Sequence, residues 1–228
     1  LTENNRGPFP NDALKNVYRE IMSASLSLER PIKIAFLGPP ATFTHQACMQ
    51  HFGLSGGFIP KKDIADVFDE VEKGRSDFGV VPIENTTEGV VSHTLDMLAS
   101  SDLKICAEVM LEISLALMSK TGKAADIAKV CSHPNPLAQC RNWLKNNLPN
   151  AAVFDVSSTA MAARMASEDT ALAAIASIAA ASLYDLRVIE KNIEDNAGNF
   201  TRFLVIGKHT GKKSGSDKTS LMFAIKDA

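Results

Sequence analysis

In the run Asn199-Phe200-Thr201-Arg202-Phe203, Thr201 and Arg202 set a hydroxyl beside a guanidinium at the mouth of an apolar stretch, 203–206. The first can donate or relay a proton, and the second can pair with a carboxylate. Four more clusters of small polar residues recur along the chain: Thr42 after Gly38-Pro39-Pro40-Ala41, then Glu84-Asn85-Thr86-Thr87-Glu88, then Ser132-His133 with Gln139 beyond, then Ser157-Ser158-Thr159. Hydroxyls and amides dominate this set, which suits the holding of a small organic anion. His133 precedes Pro134 and reads either as a capping or packing residue or as a general base. Arg202 reads either as a surface charge or as a ligand for a carboxylate.

Each cluster borders a short apolar run: four follow the runs at 32–37, 78–83, 129–131 and 151–156, and Thr201-Arg202 lead into the run at 203–206; such runs read as buried strands. Open α/β sheets bind ligands beyond the carboxyl ends of their strands, so the clusters stand where a site is built. Further strands are expected at 57–60, 103–105, 111–118, 171–175 and 187–189. Helices are expected at 12–28, 43–52, 63–73, 92–99, 137–148, 160–166 and 177–183. The first helix carries Leu14, Val17, Ile21, Met22 and Leu26 at helical spacing, with an N-cap at Asn11-Asp12. The helices after Thr42 and Ser158 begin with free backbone N–H groups, a natural place for a carboxylate. Strands and helices alternate, and the chain crosses out near residue 111 and back near 190. The expected fold is α/β with two lobes facing a cleft.

With 24 Lys and Arg against 26 Asp and Glu in 228 residues, the net charge of −2 carries no footprint of nucleic-acid or anionic-membrane binding. Cys48, Cys106, Cys131 and Cys140 form no C-x-x-C pair and have no His at zinc-ligand spacing, so they read as reduced cytosolic thiols and no metal is expected. No segment reaches the roughly 18 apolar residues of a spanning helix, and the polar start is not expected to be a signal peptide. No G-x-G-x-x-G or P-loop is present, so no nucleotide is implied. Residues 208–218 read as a flexible linker, with a strand starting at Thr219.

Gly38-Pro39-x-Ala41-Thr42-Phe43, Val81-Pro82-Ile83-Glu84-Asn85-Thr86-x-x-Gly89, Ser132-His133-Pro134 through Gln139, Ser158-Thr159-Ala160 and Asn199-x-Thr201-Arg202-Phe203 together resemble the motif series of the prephenate dehydratases, over residues 32–207. The resemblance implies a fold like that of two-lobed type II periplasmic binding proteins, with the site in the cleft. One lobe would span about 31–110 with 190–207, and the other about 111–189. It places the family's essential threonine on Thr201 and its other motif residues on Glu84, Asn85, Thr86, Ser132, Gln139 and Arg202. It implies loss of CO2 and the C4 hydroxyl from prephenate to give phenylpyruvate, without a cofactor. Thr201 would donate or relay the proton, with Glu84 the alternative acid if burial raises its pKa. Thr42, Asn85, Thr86, Ser158 and Thr159 would hold the carboxylates, and Arg202 would pair with a carboxylate or brace the loop. Residues 1–30 resemble the end of a chorismate mutase domain, and 208–228 a linker and the opening of a phenylalanine-binding ACT domain. That implies a cytoplasmic homodimer in aromatic amino-acid biosynthesis, with L-phenylalanine an effector only where that domain is complete. The same reaction on arogenate, or a non-catalytic organic-acid binding module, are the alternatives. The family usually has Gly at position 41 and often Ser at position 86.

Overall fold

The computed structural model describes residues 2–196, 198–211, 215, 217–221 and 223. It is α/β, with two sheets in two lobes, the expected type II periplasmic-binding-protein-like arrangement.

The first lobe holds β1 (Lys33–Leu37), β2 (Gly57–Lys61), β3 (Phe78–Asn85), β4 (Gly89–Val90), β5 (Lys104–Glu112) and β11 (Phe200–Gly207). Its strand order is β2-β1-β3-β11-β5, with β4 on the end of β3. The second lobe holds β6 (Ala116–Ser119), β7 (Lys129–Ser132), β8 (Ala152–Asp155), β9 (Leu172–Ala176) and β10 (Arg187–Lys191), ordered β10-β6-β9-β7-β8. The chain leaves the first sheet after Glu112 and re-enters it at Phe200. The two crossings are paired with each other: Ile193 N–H donates to the Leu115 carbonyl and Ile113 N–H to the Asn199 carbonyl.

β11 runs between β3 and β5, antiparallel to both, and Phe203 to Ile206 are all buried, as its unbroken apolar run dictates. Leu204 and Ile206 pack on α3 (Ile64–Glu72) with Val67, Phe68 and Val71, whereas Phe203 and Val205 pack on α2 (Phe43–Phe52) with Ala47 and Cys48. In the second lobe α7 (Thr159–Glu168) lays Ala162, Ala163 and Ala166 against β9, small side chains that let a helix approach a sheet closely.

Several elements differ from the sequence expectation. Both β3 and β11 are longer, so Glu84, Asn85, Thr201 and Arg202 lie within strands and not on turns. The register of that pair shifts beside Phe203, which faces Pro82; Pro82 has no N–H to give the ladder, and a bulge there is its usual accommodation. The helix expected at 137–148 is two, α5 (Pro134–Gln139) and α6 (Arg141–Asn147), broken at Cys140 (φ −109°, ψ 13°). The strand expected at 111–118 is instead the end of β5 and the start of β6. α1 (Asn11–Glu29) is capped by Pro10 without a side-chain bond, so Asn11-Asp12 does not serve as its cap. α4 (Ser92–Ser100) follows Val91, which makes no side-chain cap bond. Among the described residues 219–221 and 223 there is no strand; Met222, Ala224 and Ile225 lie outside the described residues. α8 (Ile178–Leu183) follows Ser177 as expected.

Candidate functional site

The strand ends gather a network of side-chain amides and hydroxyls whose direction is fixed by chemistry. Asn85 Oδ1 accepts from the backbone N–H of Thr87 (2.8 Å) and of Glu88 (3.0 Å), so its NH2 must point the other way. One N–H of that group reaches Thr201 Oγ1 at 2.7 Å and the other Asn199 Oδ1 at 2.9 Å. An amide nitrogen accepts nothing, so Thr201 Oγ1 is the acceptor and keeps its own proton. Among the described residues no protein group accepts that proton, and Thr201 is buried, 8% exposed. Asn85 thus leaves the Thr201 hydroxyl as a hydrogen-bond donor.

Thr86 is used differently. Its hydroxyl donates to Asn199 Oδ1 (3.2 Å) and accepts from Phe200 N–H (3.0 Å), while its own N–H donates to the Phe200 carbonyl (2.9 Å). Thr86 therefore pins the entry to β11. With two donors on its oxygen, Asn199 turns its NH2 toward the second lobe and donates to Gln139 Oε1 at 3.2 Å. Gln139, the last residue of α5, also accepts from Asp195 N–H at its backbone carbonyl (2.7 Å). Asn199, part of the motif but given no role by the sequence, is the junction of the network.

Successive strand residues point to opposite faces, so Arg202 and Glu84, opposed in the β3–β11 pairing, lie across the sheet from Thr201 and Asn85. Arg202 Nε donates to Glu108 Oε2 at 2.6 Å, and Glu84 stands 3.9 Å from the guanidinium with half its side chain in solvent. Lys218 also donates to Glu108, and with Arg202 holds that carboxyl below the usual range. The structure does not bring Arg202 or Glu84 to the Thr201 hydroxyl, and the Glu84 side chain is exposed rather than buried.

Ser132, at the end of β7, is fully buried and donates to the Ile175 carbonyl at 2.6 Å, tying β7 to β9. Its proton is committed to the backbone. His133 caps α5 through Nδ1, which accepts from Asn135 N–H, the capping alternative of the sequence reading.

Two helix starts remain. Thr42 caps α2, accepting from His45 N–H and donating to the Pro39 carbonyl (3.0 Å), and Ser158 caps α7, accepting from Met161 N–H (3.0 Å). The N–H groups of Phe43 and Thr44, and of Thr159 and Ala160, have no intrahelical acceptor by construction. The turn before α2 is carried onto the second lobe: Ala41 is buried among Ala162, Ala163 and Ala176, and its carbonyl accepts from Ser177 Oγ at 3.1 Å. Ala41 adopts φ 66°, the left-handed region where glycine is easiest, which accounts for glycine being usual there. Its N–H donates to His45 Nδ1 at 3.1 Å, and burial lowers the His45 pKa, keeping that acceptor neutral.

Among the described residues no group of three or more His, Cys, Asp or Glu could hold a metal, and no helix is long and apolar enough to cross a membrane.

The family model for prephenate dehydratase matches residues 34–211. The chain is 53% identical over 221 residues to the bifunctional chorismate mutase/prephenate dehydratase of Aquifex aeolicus, covering 97% of this chain and 61% of that protein. It thus spans about three fifths of the relative's length. Among solved structures, the prephenate dehydratase of Arthrobacter aurescens in complex with L-Phe superposes with a TM-score of 0.74 at 35% identity, over 81% of this chain and 63% of that one. GqqA, described as a quorum quenching acylase, superposes with a TM-score of 0.70 at 28% identity, over 78% and 64%.

Proposed function

The chain belongs to the prephenate dehydratase family, and on that premise we propose that it converts prephenate to phenylpyruvate, with release of CO2 and of the C4 hydroxyl as water. The observation that carries the reading is the Thr201 hydroxyl, buried, held as an acceptor by Asn85 and left with its proton to give.

The C–CO2 bond breaks, its electron pair enters the ring, and the C4 oxygen leaves with its bonding pair, so the ring becomes aromatic without any net change of oxidation state. The departing oxygen needs a proton. Thr201 hydrogen-bonds to it, the negative charge that grows on Thr201 Oγ1 as the proton shifts faces an N–H of Asn85, and water returns the proton to Thr201 so that the net reaction takes one proton from solvent. The unpaired N–H groups at the starts of α2 and α7, beside Thr42 and Ser158, hold the two carboxylates. A carboxylate kept from water there loses CO2 more readily. Thr86, Gln139 and Ser132 hold this frame in place. Arg202 braces β11 against β5 through Glu108. The site lies between the lobes, where Asn199 meets Gln139 and Ala41 meets Ser177.

Acyl transfer of the kind named for GqqA has less support. It needs a base on its nucleophile, and among the described residues no His or carboxylate is hydrogen-bonded to Thr201, Thr86 or Ser132. Asn85 cannot take a proton.

The rest of the proposal concerns the longer protein. The bifunctional name of the Aquifex relative supports reading residues 1–30 as the end of a mutase domain; residues 208–228 are proposed, from the motif resemblance alone, as a linker and the opening of an ACT domain. The L-Phe complex of the Arthrobacter enzyme supports L-phenylalanine as effector of that longer protein. The apolar residues exposed along α1, Val17, Ile21, Met22 and Leu26, suit a homodimer, and the four free cysteines suit the cytoplasm.

The test is incubation of the chain with prephenate at neutral pH beside an enzyme-free control, following phenylpyruvate. Formation above control is the expected result. Turnover of arogenate alone would move the assignment to the amino substrate, and binding of prephenate without product would leave a binding module.

A further inference from the structure

Asn199 is tied to both lobes and to the hinge between them. Its backbone carbonyl accepts from Ile113 N–H of the other crossing at 2.8 Å, so its main chain belongs to the hinge. Its side-chain oxygen takes Asn85 and Thr86 of the first lobe, and its side-chain NH2 gives to Gln139 of the second. The residue is 7% exposed, and every one of these bonds has its direction set by the partners described above. The Asn85 NH2 has two hydrogens and two acceptors, Asn199 and Thr201. Whatever draws Asn199 toward the second lobe therefore turns the amide that orients the Thr201 hydroxyl.

We infer that Asn199 is a positioning residue that couples the approach of the second lobe to the orientation of Thr201, through the chain Gln139, Asn199, Asn85, Thr201. The inference rests on the dehydratase reading for its catalytic consequence but not for the coupling. With the lobes apart, Asn199 loses its acceptor and Asn85 keeps a looser hold on Thr201. With the lobes together, the relay is complete and the hydroxyl is aimed. The threonine is then competent only when the cleft that excludes water is formed.

Two readouts on the 228-residue chain decide it. The first is independent of turnover: the side-chain amide resonances of Asn85 in the 15N-labelled protein, compared between the native chain and Gln139→Ala. Gln139 makes no hydrogen bond to Asn85 among the described residues, so a shift of the Asn85 NH2 signals in that variant reports transmission through Asn199. Unmoved Asn85 signals would overturn the coupling. The second is kcat for Asn199→Ala, Gln139→Ala and the double variant. Asn199→Ala is expected to lower kcat about tenfold, the effect of one oriented hydrogen bond in the transition state, with KM changed less. The double variant is expected to be no slower than the slower single one, since both break the same relay. Losses that multiply would overturn it. Should the native chain not turn prephenate over at all, the dehydratase reading fails, while the Asn85 resonances still decide whether the relay exists.

Discussion

The Asn85 side-chain NH2 donates to Thr201 Oγ1 over 2.7 Å while the N–H groups of Thr87 and Glu88 hold its oxygen, which leaves Thr201 with its own proton to donate. Reversing the polarity at Asn85 should therefore stop the chemistry without unfolding the protein. In Asn85→Asp the carboxylate still accepts from both backbone groups, but its second oxygen takes the Thr201 proton. We expect kcat to fall by a factor on the order of 100, with a smaller drop in the urea midpoint because the new carboxylate also faces Asn199 Oδ1. Turnover within threefold of the native chain would show that the direction of this bond does not matter.

Arg202 and Thr201 are neighbours in sequence but occupy opposite faces of β11. Arg202→Lys, which keeps a charge for Glu108 but loses the fork, should lower stability by about 1 kcal/mol and leave kcat within a few fold. Chemical denaturation and steady-state kinetics on one preparation check both. Loss of turnover at full stability would place the guanidinium on the substrate.

How far the sequence carries can be judged from these same residues. The apolar runs at 78–83 and 203–206 mark their strands because burial on both faces demands them. The polar tails Glu84-Asn85 and Phe200-Thr201-Arg202 read as turns because small polar residues usually end strands. In the fold those tails pair with each other, and the hydroxyls and amides that argued for a turn are bonded across the ladder. Local pattern holds no trace of that pairing. The helix starts after Thr42 and Ser158 were legible, because the signals that open a helix act within four residues. The role of Asn199, named in the motif, was not, because it comes from Gln139, sixty residues away on another lobe. The break at Cys140 was equally hidden, since the apolar spacing continues through it.

Ala41 sets two effects against each other. Its left-handed backbone costs on the order of 1 kcal/mol relative to glycine, and its buried methyl returns about 0.8 kcal/mol. Ala41→Gly should leave stability within about 1 kcal/mol of the native value. Ala41→Val adds a branched side chain in a forbidden backbone region and in a closed cluster, and should lose at least about 2 kcal/mol. Urea midpoints of the two variants test this, and equal losses would deny the backbone a role.

Burial lowers the pKa of His45, and burial together with Arg19 lowers that of His51. The unfolded chain then binds more protons than the folded one below its imidazole pKa of about 6.5. The stability linked to these groups is complete above that value and is lost as pH falls from it toward the folded pKa values. The urea midpoint should be lower at pH 5.5 than at pH 7.5, and His45→Gln, which keeps an acceptor for Ala41 N–H, should reduce that slope. A slope unchanged in the variant would mean that His45 is already free to protonate in the folded chain.

The most direct test of the account is Thr201→Val, which removes the hydroxyl and keeps the shape. Prephenate binding by calorimetry should persist, and phenylpyruvate formation should fall by a factor on the order of 100 or more. Turnover equal to that of the native chain would contradict the role of Thr201 as the proton donor.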